Sequence, residues 1–231
     1  MNALWNELAD GKLSDSQDAA LSRYLDLLME ANQRMNLTRI TDRAAAEIGH
    51  VADALTLLKY LPAGAIRLAD VGSGGGVPGI PLAIARADAS VALIEATSKK
   101  ARFLAETATS LGLSNVKIRS ERAEDAGLGP LRESFDVVTV RAVGLMVWLV
   151  EWCLPLLKVG GTMLAMKGPK ISEELPTALR TIRTLGGGEP TVHPVQLAGI
   201  DGHVIVAIKK VRKTDPRFPR PATCAKGKPL A

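Results

Sequence analysis

The stretch Asp70-Val71-Gly72-Ser73-Gly74-Gly75-Gly76-Val77-Pro78-Gly79 decides the fold of this 231-residue chain. It closes a short apolar run over 66–71, so a predicted strand feeds straight into a glycine-rich turn. Glycines let the backbone turn tightly at the carboxyl end of a strand and let a ligand approach it closely. In open α/β sheets, ligands bind in that crevice. Two registers are open. Gly74-x-Gly76-x-x-Gly79 has the letters of a dinucleotide fingerprint, but it falls late and sets Pro78 and Pro81 into the helix start. Asp70-x-Gly72-x-Gly74-x-Gly76 places an acid ahead of three glycines, which suits a ligand with a cationic group. An anion would instead call for several backbone donors at a helix N-terminus. Glu95, ending the next predicted strand, serves either register, because a carboxylate there meets ribose hydroxyls.

Around this turn the pattern is strand–helix alternation, the signature of a parallel sheet covered on both faces. Strands are predicted over 91–94, 116–118, 135–140 and 162–166, with helices over 99–111, 145–157 and 173–185. Two further strands, 191–197 and 204–208, are joined by Ala198-Gly199-Ile200-Asp201-Gly202, too short for a parallel crossover, so they are expected to pair antiparallel. Ahead of the sheet come two amphipathic helices. In 14–31, Leu21, Tyr24, Leu25 and Leu28 recur at helical spacing behind Ser14 and Ser16 as caps. In 42–60, Ile48, Val51, Leu55 and Leu58 form the stripe, with Thr41 as cap.

Composition excludes several classes. With 47% hydrophobic and 23% charged residues the chain is globular, neither disordered nor fibrous. No apolar run approaches the roughly 18 residues of a membrane span, and Met1-Asn2-Ala3-Leu4-Trp5 is no secretory signal, so a cytoplasmic location is expected. Cys153 and Cys224 supply neither a disulfide framework nor a metal cluster. The net charge of +5 is unevenly spread: from Lys209 onward there are eight basic residues and one acid, Asp215, leaving residues 1–208 at −2. A Pro- and Lys/Arg-rich tail of this kind attracts polyanions, through counterion release, or acts as a solubilising end.

Seven strands with an antiparallel closing pair and an acid-plus-three-glycine turn resemble the class I S-adenosylmethionine-dependent methyltransferases, a Rossmann-like α/β fold. Further residues narrow the likeness: Asn36-Leu37-Thr38, His50-x-x-Asp53, Gly76-Val77-Pro78-Gly79-Ile80-Pro81, Arg122-Ala123-Glu124, Val140-Arg141-Ala142 and Lys167-Gly168. Over about residues 20 to 210 the set resembles the bacterial 16S rRNA guanine-N7 methyltransferase family also called glucose-inhibited division protein B. The resemblance implies methyl transfer from S-adenosylmethionine to N7 of a guanine in the decoding-region loop of 16S rRNA. It implies three parts: a helical extension (1–63), a methyltransferase domain (64–209) and a basic, flexible tail (210–231). The partner implied is 16S rRNA or a small-subunit precursor, met by a monomer away from membranes. One departure stands out, since Asp201-Gly202-His203 offers a histidine where relatives are expected to carry a basic pair.

The resemblance assigns roles residue by residue. Gly72, Ser73, Gly74, Gly76, Val77, Glu95, Ala123, Glu124 and Arg141 are expected at the cofactor. Arg141 is also expected to act catalytically by orienting guanine, or else to be a structural ion pair. Asn36, His50, Arg122 and Lys167 are expected to touch RNA, with Asp53 on the helix face of His50 and Phe218 a candidate stacking partner. The chemistry agrees: Cys153 sits between Trp152 and Leu154, better placed for a core than for a nucleophile, and no Asp/Asn-Pro-Pro-aromatic tetrapeptide follows the fourth strand. Guanine N7 already carries a lone pair, so alignment and electrostatics are what such a site needs. A small-molecule methyltransferase, a nicotinamide-dependent oxidoreductase and a non-catalytic ribosome-assembly factor stay open as alternatives.

Overall fold

The computed structural model describes residues 1–221, 223, 227, 228 and 230. One seven-stranded sheet carries the site: β1 (Arg67–Val71), β2 (Ser90–Ile94), β3 (Val116–Arg119), β4 (Phe135–Arg141), β5 (Leu157–Lys167), β6 (Thr191–Pro194) and β7 (Val204–Lys209). Its order is β3-β2-β1-β4-β5-β7-β6. The first five strands are parallel, and β7 runs antiparallel to both β5 and β6. The chain reverses its direction of winding at β1, so the carboxyl ends of β1 and β4 open the crevice where such sheets bind ligands.

Helices cover both faces. On one lie α1 (Ala3–Leu8), α2 (Asp15–Met35), α3 (Arg43–Ala46), α4 (Asp53–Leu55), α5 (Gly79–Ala85) and α6 (Ser98–Ser110). On the other lie α7 (Ala123–Leu128), α8 (Met146–Cys153) and α9 (Ile171–Thr184). Ser14 starts α2 with a capping box to Gln17, and Leu21, Tyr24, Leu25 and Leu28 are all buried as their spacing predicted. Each contributes on the order of 1.5–3 kcal/mol of apolar burial, which fixes α2 across the glycine turn. Tyr24 completes the clamp by donating its hydroxyl to the Gly75 carbonyl at 2.9 Å.

Several elements differ from expectation for identifiable reasons. α1 was not foreseen; Asn2 caps it, and the Trp5 indole is buried, donating to the Glu47 carbonyl at 3.2 Å. The expected helix over 42–60 is capped by Asp42 rather than Thr41, and Glu47–Ala52 winds as a π-helix between α3 and α4. α8 stops at Cys153 because Pro155 permits just a 3-10 turn, Leu154–Leu156, and β5 then begins early at Leu157. Pro78 and Pro81 fit α5, being at its cap and first turn, where backbone N–H groups have no partner to lose.

The expected free tail is anchored at several of its described residues. Lys210 is fully buried, its ammonium donating to the Leu154 carbonyl and to Thr214 Oγ1. Burial lowers its pKa to about 8, against the opposing pull of the Glu133 carboxylate. Arg220 grips buried Glu151. Cys224 and Lys226 lie outside the described residues. No helix among the described residues is long and apolar enough to cross a membrane.

Candidate functional site

β1 delivers the chain to the glycine turn, whose first amides are held by β2: Gly72 and Ser73 both donate to the Ile94 carbonyl, at 2.8 and 3.2 Å. Gly72 has φ +70°, and a Cβ there would come within 2.5 Å of the Val143 side chain. Gly79 is a glycine for packing: a Cβ would lie 2.3 Å from Leu93 Cδ2 and 2.8 Å from Asp70 Oδ2. Asp70, whose acid suggested a contact to a cationic ligand, is turned inward. Its carboxylate is fully buried and accepts from Thr139 Oγ1 at 2.9 Å and from the Gly79 amide at 3.3 Å, tying β1 to β4 and to the start of α5. Burial pushes its pKa up to about 6, against the pull of those hydrogen bonds.

Two cavities open from this turn. The smaller, about 250 Å³, is lined by Glu95, Arg122, Ala123, Glu124, Val143 and Trp152 with the glycines at its edge. Glu95 is buried there, Oε2 accepting from the Gly74 amide at 2.9 Å and Oε1 from the Thr97 amide at 2.7 Å. An ionised carboxylate offers about four lone-pair sites, so roughly two stay available for hydroxyls of a bound nucleoside. With small residues at Ala123 and Gly74 and the Trp152 face beside them, the residues present fit the adenosine half of S-adenosylmethionine.

The larger cavity, about 1030 Å³, is a cleft between the glycine turn, the end of α2, the turn 36–41, His50, Arg141 and His203. Gly72, Gly74, Lys100 and Ala142 line both cavities, so the two meet over the ends of β1 and β4. Arg141 ends β4 at this junction, and the next residue, Ala142, is held at φ +55°, a left-handed conformation that a non-glycine residue adopts at a cost of about 1–2 kcal/mol. Behind Arg141 sits buried Asp53, with Arg141 Nη1 3.0 Å from Oδ2. His203 Nδ1 approaches the same oxygen at 3.6 Å, an ion-pair distance longer than a hydrogen bond. The Arg141 contact also falls short of hydrogen-bond alignment, so among the described residues Asp53 is held mainly by charge. Burial raises the Asp53 pKa, while Arg141 and then His203 pull it down.

His50 stands beside this pair. The π-helical turn carries it and Asp53 toward the same cleft, and such bulges recur at functional sites. Its Nδ1 faces the Gly49 carbonyl at 3.1 Å, so Nδ1 carries the proton and Nε2 accepts from Thr38 Oγ1 at 2.9 Å. Burial lowers its pKa to about 4, helped by the positive charge of Arg141. Asn36 lines the cleft from the left-handed end of α2 at φ 50°.

The structure thus brings Asn36, His50, Arg141, Gly72, Ser73, Gly74 and Val77 to the cleft, and Glu95, Arg122, Ala123 and Glu124 to the side cavity. Gly76 lines neither, though its amide and carbonyl close the turn on Ser73 and Ile80. Lys167 is elsewhere: its ammonium pairs with Glu174 at 2.6 Å and donates to the Gly144 carbonyl at 3.0 Å, joining β5 to α9. Phe218 packs against the core under α7 and α8, away from the cleft. Lys100, lining both cavities, was missed. Its signal was a Lys99-Lys100 pair in the first turn of α6, which carries no acid there, against the preference of a helix N-terminus for negative charge.

Residues 17–199 match the family model described as rRNA small subunit methyltransferase G. A Chloroflexus aggregans protein named ribosomal RNA small subunit methyltransferase G is 41% identical over 94% of this chain and 92% of its own. Its Lactobacillus johnsonii namesake is 39% identical over 95% and 94%. Among solved structures the chain is similar in fold to a SAM-dependent O-methyltransferase from Thermotoga maritima, with TM-score 0.51, 18% identity and coverage of 81% and 72%. It is also similar to precorrin-6y C5,15-methyltransferase from Geobacter metallireducens, with TM-score 0.52, 18% identity and coverage of 69% and 87%.

Proposed function

This chain belongs to the rRNA small subunit methyltransferase G family, and on that premise we propose that it transfers a methyl group from S-adenosylmethionine to N7 of a guanine in 16S rRNA. The observation that carries the reading is the meeting of the two cavities at Gly72, Gly74, Lys100 and Ala142. A nucleoside-sized chamber opens there into a cleft four times larger, with Arg39, Lys100 and Arg141 on its walls. That size and charge favour a segment of polyanion over a small molecule. The chain is read as a monomer acting in the cytoplasm on 16S rRNA or a small-subunit precursor.

When bound, S-adenosylmethionine supplies an electrophilic methyl group on a cationic sulfur. The rest falls to the protein's residues. Glu95 holds ribose hydroxyls in the side cavity, and Ala123 and Glu124 bound the base beside Trp152. The glycine turn and Arg141 border the point where cavity and cleft join. Arg141 can offer its N–H fork to guanine O6 while the ring presents N7 to the junction. Guanine N7 carries its lone pair free, so no proton is removed beforehand, and orientation is the main demand. Asp53 acts through Arg141: an arginine with its carboxylate on one side has fewer orientations, leaving its remaining donors aimed at the cleft. Neutral His50, fixed through Thr38, walls the cleft without adding charge.

The test is incubation of the chain with S-adenosylmethionine and undermethylated small subunits or naked 16S rRNA, followed by mass mapping of the rRNA. One new N7-methylguanosine in the decoding region is expected. Absence of any methylated nucleotide, together with no heat on titrating S-adenosylhomocysteine, would remove the assignment.

A further inference from the structure

The family model ends at residue 199, yet residues 214–220 are bound to the body at more points than a surface extension needs. Arg132, just after α7, gathers four carbonyls: Nη1 donates to Gly127 at 3.0 Å and Phe218 at 2.7 Å, Nη2 to Thr214 at 2.7 Å and Asp215 at 3.2 Å. Arg220 closes on Glu151 of α8 through Nε at 2.8 Å, Nη2 at 2.7 Å and its own backbone N–H at 3.0 Å. Pro219 packs against Gly127 of α7 so closely that a Cβ there would lie 3.0 Å from its Cγ.

We propose that this segment is a brace that sets the adenosine cavity from behind, with Arg220 as its positioning residue. The two helices it grips are the ones that form the cavity wall. α7 begins with Ala123 and Glu124 and is held near its other end, at Gly127; α8 turns Trp152 to the cavity and is held at the neighbouring Glu151. A segment tied to α8 through the Glu151 carboxylate, and to the end of α7 through Pro219 and the three tail carbonyls that Arg132 holds, fixes the spacing between the two helices. Four of the eight cations from Lys209 onward are engaged within the molecule, while Lys209, Lys213 and Lys228 stay exposed. Lys210 is buried, Arg212 donates to the Arg183 and Thr184 carbonyls, Arg217 pairs with Asp215, and Arg220 is taken by Glu151. The inference rests on the assignment of the side cavity to the adenosine of S-adenosylmethionine.

The experiment is calorimetric titration of S-adenosylhomocysteine into the full chain and two variants, Arg220→Lys and the double variant Glu151→Gln with Arg220→Gln. The first keeps a charge opposite Glu151 but loses the fork, and the second leaves no buried charge unpaired, so both preserve the fold. Both are expected to bind about fivefold or more weakly, in the range of coupling between distinct sites. The KM for S-adenosylmethionine should rise while kcat at saturation, rRNA affinity and its salt dependence hold. An unchanged Kd with reduced rRNA affinity would overturn the proposal in favour of an RNA-binding arm. Lower thermal stability with an unchanged Kd would overturn it as a structural contact alone. A wild-type chain that takes up no S-adenosylhomocysteine would instead fail the functional reading itself.

Discussion

Two buried carboxylates each meet an arginine from a distant part of the chain, and the pairs are built differently. Glu151 and Arg220 form a two-pronged hydrogen-bonded bridge at the back of the molecule. Asp53 and Arg141 stand in the cleft in charge contact, and among the described residues no contact to that carboxylate is well aligned as a hydrogen bond. Burial does not separate them, since the carboxylates are 2% and 1% exposed and the arginines 22% and 18%. The difference is saturation. Well-aligned hydrogen bonds to charged groups add about 1.5–3 kcal/mol, so the cleft pair is held less firmly than the rear pair. A loosely held pair beside a left-handed Ala142 is the kind of local cost that clusters at binding sites, in line with the function proposed for this cleft.

The sharpest way to break the contrast is to cut each pair and measure stability. Arg220→Ala leaves Glu151 buried with the residue-220 backbone N–H but no charge opposite it, and should cost about 3 kcal/mol, the lower range for breaking a buried pair. At roughly 2–4 °C per kcal/mol, thermal unfolding should begin about 6–12 °C lower. Asp53→Asn keeps the shape and frees a partly exposed Arg141 to meet water, so unfolding should change by under about 1 kcal/mol. Its effect should appear in turnover instead: methyl transfer to rRNA about thirtyfold slower, equivalent to about 2 kcal/mol, with S-adenosylhomocysteine affinity unaltered. If the two substitutions exchanged these outcomes, the distinction between bracing and poised pairs would be lost.

A smaller effect sharpens the same comparison. His50 is neutral because burial and the neighbouring Arg141 lower its pKa from 6.5 to about 4. A depressed folded pKa means that the unfolded chain binds the proton first on acidification. The stabilising contribution is therefore complete above pH 6.5 and disappears as the pH falls through about 4. At pH 5.5 the loss should be about 1 kcal/mol, read from denaturant unfolding at that pH and at 7.5. His50→Gln should flatten that segment of the profile, and an unchanged profile would show that the imidazole is solvated in the folded chain.

What could be read from the sequence follows from how locally each feature is encoded. The sheet, its antiparallel closing pair and many of the residues lining the two cavities lie at strand ends and turns, where a few consecutive residues declare their geometry. Gly72, Glu95, Ala123 and Arg141 were legible for that reason. The π-helical turn was not, because its hydrophobic stripe is compatible with an ordinary helix and the extra residue is imposed by packing. Asp70 misled because sequence shows a carboxylate before the glycines but not that Thr139, opposite it in the β1–β4 register, turns it inward. The anchoring of part of the tail was hidden for the mirror reason. A run of cations shows its charge but not that Glu151 and the carbonyls of Leu154, Arg183 and Thr184 are brought beneath Arg220, Lys210 and Arg212.

Lys167 and Lys100 repeat the contrast in single cations and give the smallest expected effect. Lys167 was read as a phosphate contact from its place at a strand end, but Glu174 and the Gly144 carbonyl engage its ammonium, which is 11% exposed. Moving it to a phosphate would break a 2.6 Å ion pair to form a comparable one in salt water. Lys100 lies on the rim common to both cavities, where a backbone phosphate next to the target nucleotide would pass. Each phosphate neutralised adds roughly 0.7–0.9 to the slope of log affinity against log salt. Across a salt series, Lys100→Gln should flatten the rRNA-binding slope by about one. Lys167→Gln should leave the slope where it is and lower stability slightly, because Glu174 still accepts from the Met146 amide at 2.9 Å and is not abandoned. A slope that flattened for Lys167→Gln and not for Lys100→Gln would mean that RNA enters over β5 and α9, and the cleft between α2 and the glycine turn would lose its claim to the substrate.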